Sequence, residues 1–441
     1  MKWLAGILFV SVACAGAHAQ RQLTLDEAIA LGKENSKMLR VSTAKVDAAE
    51  ARAGEASTAL LPSLKFEGSY KRLSDVDPFA VKVPFYPSPI EISPIVLNNY
   101  NVRVSLQQPL FTGFKLRSNA RVAEYLAGAS VSDHRNDLAD LVLNITTAYW
   151  TLFQSRETKR FVDENVTRLE SYRRDTENLM KAGMATRNDL LKIQVQLSSA
   201  RLTQIDAAND VEVALMNLDN VMGLPLDTDI ALTSVPAGGI AVSHADTGAL
   251  VARALGARPD LQAMQLRVEA SKAGVSAAQG SWWPQIFLGG SYFYNRPNQR
   301  YQPTKDEFKS TWELGVTMQF DVWNWGATGY QTDQAKATLL QNELMYAQMQ
   351  DNVSLEVRRG QLAVRRARDK ADVARLAVDQ AEENMRSTGD KFKSGLATSS
   401  ELLDASVALL QTRTNLSGAL VEVELAQARL VRSVGGEKGN E

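Results

Sequence analysis

The chain has 441 residues, with 49 Lys and Arg against 50 Asp and Glu and a net charge of −1. That balance excludes the concentrated basic face a nucleic-acid partner requires. One cysteine and three histidines give no metal-ligand cluster, and neither a Gly-rich phosphate loop nor a nucleophile elbow occurs. No catalysis and no cofactor are therefore expected.

Residues 1–19 read as an export signal: Lys2, the apolar run Trp3 to Ala13, and the small-x-small site Ala17-His18-Ala19. That run is too short to span a bilayer as a helix, which needs about 20 residues. Cys14 lies inside it, so removal at Ala19 leaves a chain without thiol chemistry. Lipidation at Cys14 is the alternative, although Ser11 stands where a leucine is usual.

The remaining sequence is written twice. A first repeat over 20–247 predicts a helix at about 25–60, strands at about 63–73 and 100–108, helices at about 114–181 and 187–222, and a linker over 223–247. A second repeat over 248–441 predicts a helix at about 248–280, strands at about 284–295 and 310–321, and helices at about 326–391 and 398–434. Self-similarity of this kind sets the architecture before any single motif does.

The strands alternate. Leu64, Phe66 and Tyr70 interleave with Lys65, Glu67, Ser69 and Lys71; Val102, Val104 and Leu106 interleave with Arg103, Ser105 and Gln107. Leu288 and Tyr292, then Leu314, Val316 and Met318, repeat the scheme. Aromatic residues flank them: Tyr70, Tyr100 and Phe111 around the first pair, and Trp282, Trp283, Trp312, Trp323 and Trp325 around the second. Such flanks suit the headgroup level of a membrane, and these strand lengths approach the roughly 9–11 residues of a tilted membrane strand. Four strands cannot close a barrel, so copies of the chain must share one, with the polar alternates facing the passage.

No proline occurs from Leu110 to Leu224 or after Pro303, as long helices require. Leu138, Leu141, Val142, Ile145, Ala148, Tyr149 and Leu152 keep helical spacing. Leu402, Leu409, Leu416, Val423 and Leu430 recur every seventh residue, with Ala405, Thr412, Ala419 and Ala426 three places behind them. Each proline-free tract is interrupted once by a doubled phrase, Lys-Ala-Gly-Met-Ala-Thr at 181–186 and Lys-Ser-Gly-Leu-Ala-Thr at 393–398. Gly183 and Gly395 suit helix ends in left-handed geometry, while Thr186 with Asp189 and Thr398 with Glu401 have the spacing of capping boxes. Asp404 lies beyond the cap.

This plan resembles the TolC-like outer-membrane efflux proteins across essentially the whole chain after the signal. The resemblance rests on Leu25-Asp26-Glu27-Ala28, Leu61-Pro62-Ser63-Leu64, Gln108-Pro109-Leu110-Phe111-Thr112-Gly113 and the doubled Gly-x-Ala-Thr turns, in that order and spacing. It implies a homotrimer whose twelve strands form one barrel in outer-membrane lipid, continued by a coiled-coil periplasmic tunnel. It also implies a passive exit duct, opened at its periplasmic tip by an adaptor protein and driven by an inner-membrane pump or ATPase. By the same resemblance, Asp189, Glu401, Asp404 and Phe392 become candidates for gating the tip. Phe392 and Ala397 stand where the familiar pattern has a tyrosine and an arginine, so the usual lock is not expected. A secretion duct for polypeptides, or a periplasmic coiled-coil scaffold, are the alternatives.

Overall fold

The computed structural model describes residues 21–91, 95–226, 228–237 and 246–436. The signal segment with Cys14, the linker stretch 238–245 and residues 437–441 lie outside them. In chain order the elements are β1 (Arg21–Leu23), α1 (Leu25–Asn35), α2 (Lys37–Thr58), β2 (Ser63–Arg72), β3 (Ala80–Val81), β4 (Ile90–Glu91) and β5 (Asn98–Phe111). There follow α3 (Lys115–Lys181), α4 (Arg187–Met222), β6 (Ile230–Leu232), α5 (Thr247–Ala257) and α6 (Pro259–Gln279). The chain ends with β7 (Gln285–Arg296), β8 (Lys309–Gln319), α7 (Ala327–Lys393) and α8 (Ser399–Ser433).

Two compact units form, and each draws on both repeats. One takes the chain up to Val41, Arg135–Arg258 and the residues from Asp351 onward; the other takes Ser42–His134 and Pro259–Gln350. The repeats are successions along the chain rather than packing bodies.

Two helices expected to be continuous are each broken once. At Ser36 the backbone N–H still donates to Gly32 O, closing α1, while the Ser36 hydroxyl accepts from Leu39 N and opens α2. At Arg258 the cause is Pro259, whose ring disfavours helical backbone in the residue before it and suits the first turn of a new helix. Arg258 accordingly turns to φ −70°, ψ 124°.

In the unit holding the hairpin ends, Leu141, Val142, Ile145, Tyr149 and Leu152 of α3 bury against α1, α4 and β6. On α8, Leu402, Leu409, Val423 and Leu430 are buried, as are Ala405, Ala419 and Ala426; Leu416 and Thr412 are half-buried. A parallel strand pair that sequence patterning missed joins β1 to β6. Tyr149 fastens it: its hydroxyl donates to Leu23 O and accepts from Ser234 N, both at 3.0 Å.

The other unit contains a four-stranded antiparallel sheet in the order β2-β5-β7-β8. Pro109 interrupts β5 beyond Gln107, the last partner of β2, so its missing N–H removes no bond from that pairing. The register shifts between Pro109 and Phe111. Both outer strands, β2 and β8, have a free edge within the chain.

Candidate functional site

Two regions gather the residues singled out in the sequence: the sheet and the hairpin turns. In the sheet, the register sorts the side chains by polarity. Phe66 pairs with Val104, Val104 with Tyr292, and Tyr292 with Trp312; one row along, Leu64 pairs with Leu106, Leu106 with Gly290, and Gly290 with Leu314. Because side chains alternate between faces, these residues share one apolar face. Lys65 pairs with Ser105, Ser105 with Ser291 and Ser291 with Glu313, while Glu67 pairs with Arg103, so these charged residues share the other, and Arg72 and Arg296 stand at the loop end of the apolar rows.

The apolar face is open to its surroundings. Leu64, Phe66, Trp312, Leu314, Val316 and Met318 are each at least 63% exposed. A contiguous patch of this kind is foreign to a water-facing monomer and suits lipid. Aromatic residues crowd both ends of the sheet. Tyr70 meets Tyr100 and Tyr100 meets Phe308 at a tilt, and Tyr294 stacks on Phe308, at the loop end; Phe111 meets Phe114, and Trp323 meets Trp325, where strands give way to helices. Trp282 and Trp283 are exposed at that same junction, where Gly113 (φ +60°) passes Gly280 so closely that a Cβ at 113 would collide with the Gly280 carbonyl.

No helix among the described residues is long and apolar enough to cross a membrane. No group of three or more His, Cys, Asp or Glu among them is placed to hold a metal.

At the hairpin turns the two copies have one geometry. Gly183 (φ +78°) and Gly395 (φ +72°) end α3 and α7. Gly183 N donates to Met180 O and Met184 N to Leu179 O; Gly395 N donates to Phe392 O and Leu396 N to Lys391 O. This is the Schellman closure. A Cβ would meet nothing within 4 Å at either glycine, so backbone conformation alone demands them.

Thr186 and Thr398 then start α4 and α8 as full capping boxes. Thr186 N and Oγ1 donate to Asp189 Oδ2 at 3.0 and 2.6 Å, and Asp189 N donates back to Thr186 Oγ1 at 3.2 Å. Thr398 N and Oγ1 donate to Glu401 Oε2 at 2.7 and 3.1 Å. The Thr186 hydroxyl, then its backbone N–H, then Ser399 hold the Asp189 carboxyl below the usual carboxylate range. The backbone of Thr398, then its side chain, do the same for Glu401. Glu401 is thus committed to its own turn, and Asp189 to its own turn and to Ser399 at the start of α8.

Asp404 differs. It is exposed, has no ion pair among the described residues, and borders a groove of about 430 Å³ between α4 and α8 with Leu191, Val195, Leu403 and Val407. Lys192 spans that groove with a bond from Nζ to Ser400 Oγ at 3.1 Å.

Phe392, the fourth of the gating candidates, lies inside the hairpin. It is 5% exposed and packs with Met385, Leu402, Ala405 and Leu409, where it holds α7 to α8. A phenyl ring without a hydroxyl gains by burial there. Two residues passed over in the sequence stand out instead: Met184 and Leu396, equivalent in the two turns, are 68% and 79% exposed. Their signal was available, as apolar residues at one position of both copies of a turn.

A family model described as "Outer membrane efflux protein" matches residues 28–224 and 250–436. Outer membrane efflux protein BepC of Brucella suis is 26% identical over 343 residues, covering 76% of this chain and 72% of that protein. Alkaline protease secretion protein AprF of Pseudomonas aeruginosa is 24% identical over 348 residues, covering 76% and 69%. Among solved structures, the outer membrane protein VceC of Vibrio cholerae superposes with a TM-score of 0.77 at 18% identity, covering 93% of this chain and 96% of that one.

Proposed function

The chain belongs to the outer membrane efflux protein family, and from that membership we propose that three copies share one barrel and act together as the passive outer-membrane duct of an export system. The observation that carries this reading is the sheet: one apolar face, one charged face and two free edges. Turning the charged face to hydrocarbon would cost roughly 2–4 kcal/mol for each Lys or Arg at the bilayer midplane. An unpaired strand edge there costs several kcal/mol for each backbone group. Edge β2 of one copy pairing with edge β8 of the next removes both costs. Three copies give twelve strands and leave room for water between the charged faces.

The hairpin turns form the periplasmic tip. Met184 and Leu396 offer apolar contacts to an adaptor, whose docking moves the hairpins apart. Asp404, with its carboxylate uncommitted, lines the constriction. Energy comes from an inner-membrane pump or ATPase, and the chain itself catalyses nothing and holds no cofactor. BepC is named for efflux and AprF for secretion of a protease, so small molecules and polypeptides are both cargo classes within reach of this architecture. A periplasmic scaffold would leave the exposed apolar sheet face without a purpose.

Cys14 is the one cysteine of the sequence, and its replacement by serine provides a thiol-free background for the test. Single cysteines placed along β2 and β8 of one chain, beginning with Lys65→Cys with Glu313→Cys, are oxidised in isolated outer membranes. Covalent species should end at the trimer, and detergent should release a trimer whose electrophoretic mobility changes on boiling. A ladder ending at the dimer, or a protein recovered without detergent, overturns the reading.

A further inference from the structure

The charged face of the sheet is unevenly charged. Lys65, Lys71, Arg103 and Lys309 stand against Glu67 and Glu313, a surplus of two positive charges in each chain. The loop between β7 and β8 does not alter it, because Arg300 pairs with Glu313 at 3.4 Å and Glu307 with Lys309 at 3.3 Å. Lys65, Lys71 and Arg103 have no ion-pair partner among the described residues. A wall meant only to be wet has no need of such a surplus, since like charges gathered on one face repel.

Arg103 is also built in. Its Nη2 and Nε donate to Ser291 Oγ at 2.9 and 3.3 Å, fixing the plane of the guanidinium. The Phe293 ring centroid lies 5.3 Å from Cζ, within cation–π range. Phe293 shares with Phe287 and Pro109 a face otherwise made of charged, hydroxyl and amide side chains and glycine, and its visible neighbour is this arginine. Two donors on Ser291 leave the rest of the fork for another acceptor, and arginine forks match planar or tetrahedral anions.

We propose that Arg103, seated on Phe293 and pinned by Ser291, is an anion-binding station on the wall of the passage, and that the cargo includes organic anions with an aromatic or apolar body. The anion takes the free edge of the guanidinium while its ring lies along Phe293. Lys65 and Lys71 raise the local concentration of anions around it. The inference rests on the duct reading, which puts the charged face toward the passage and brings three stations into one ring.

The probe is pyranine, a water-soluble fluorescent aromatic trisulfonate, titrated onto the full-length protein in lipid nanodiscs. The same preparation is first checked for conductance in planar bilayers. Pyranine anisotropy should rise on binding and fall back as salt is added. Arg103→Gln should weaken binding about tenfold, the value of one charge-assisted contact. Arg103→Lys and Phe293→Leu should each fall between. Retention of full affinity by Arg103→Gln, or no binding by a trimeric preparation whether or not it conducts, overturns the station and leaves the duct standing. A preparation that never forms trimers overturns the duct reading, and the station with it. Should Arg103→Gln fail to form trimers, Phe293→Leu decides: equal affinity there also overturns the proposal.

Discussion

Asp189 and Asp404 are both carboxylates close to a hairpin turn, yet only one lies open to its surroundings. Asp189 receives two bonds from Thr186, whereas Asp404 lies open on its groove. In bilayer recordings, Asp404→Asn should weaken block by multivalent cations several-fold, whereas Asp189→Asn should leave that block unchanged and loosen the turn. Threefold repetition of one carboxylate makes the local field that such cations seek. For the caps, the sign with pH follows from their depressed pKa values. Their contribution is complete above the ordinary carboxylate pKa of about 4 and is lost as pH falls through the depressed folded value. Hydrogen exchange at residues 182–190 and 394–402, corrected for intrinsic rates, should therefore stay slow at about pH 6 and speed up only below about pH 4. Thr186→Ala should raise exchange in its turn about fivefold even at neutral pH, for the ~1 kcal/mol of a lost cap. The caps were legible in the sequence because Thr-x-x-Asp and Thr-x-x-Glu are local geometry. The burial of Phe392 was not, because it depends on Leu402, Ala405 and Leu409 across the turn.

The elements show the same division between local and distant causes. The long helices α3 and α7 follow from the absence of proline and from sustained periodicity, and the alternation of β2 and β5 told which residues share a face. The break at Arg258 was equally legible, since Pro259 stands in the sequence to announce it. By contrast, β1 and β6 have three residues each, too few for alternation to register. The joint between β5 and α3 also hides its cause: Gly113 sits in the Phe-Thr-Gly motif, but what requires it is Gly280, which no local pattern connects to it. Alanine at 113 meets a left-handed backbone, the Gly280 carbonyl and, within 2.8 Å, Trp283 Cβ. Overpacking of this kind costs about 1–3 kcal/mol, to which about 1 kcal/mol is added for the conformation. Gly113→Ala should lower the unfolding temperature of the detergent-extracted protein, while Gly183→Ala, with open space around it, should show the smaller, conformational part alone.

At the scale of the molecule, the sequence is a duplication and the packing is an interleaving: both compact units recruit residues from both repeats. That interleaving has a bearing on the strand pair β1 and β6. Leu23 lies opposite Leu232, and Tyr149, from the middle of the first long helix, bolts the pair together. The earliest described residues to cross the inner membrane are thus the ones that must wait, because their partner strand follows two hundred residues later. In a protein exported from its N-terminus, the front of the chain is parked until that partner and the Tyr149 hydroxyl have arrived. The small clasp therefore sets a sequence of events in time: its closure reports that the first repeat has been delivered whole.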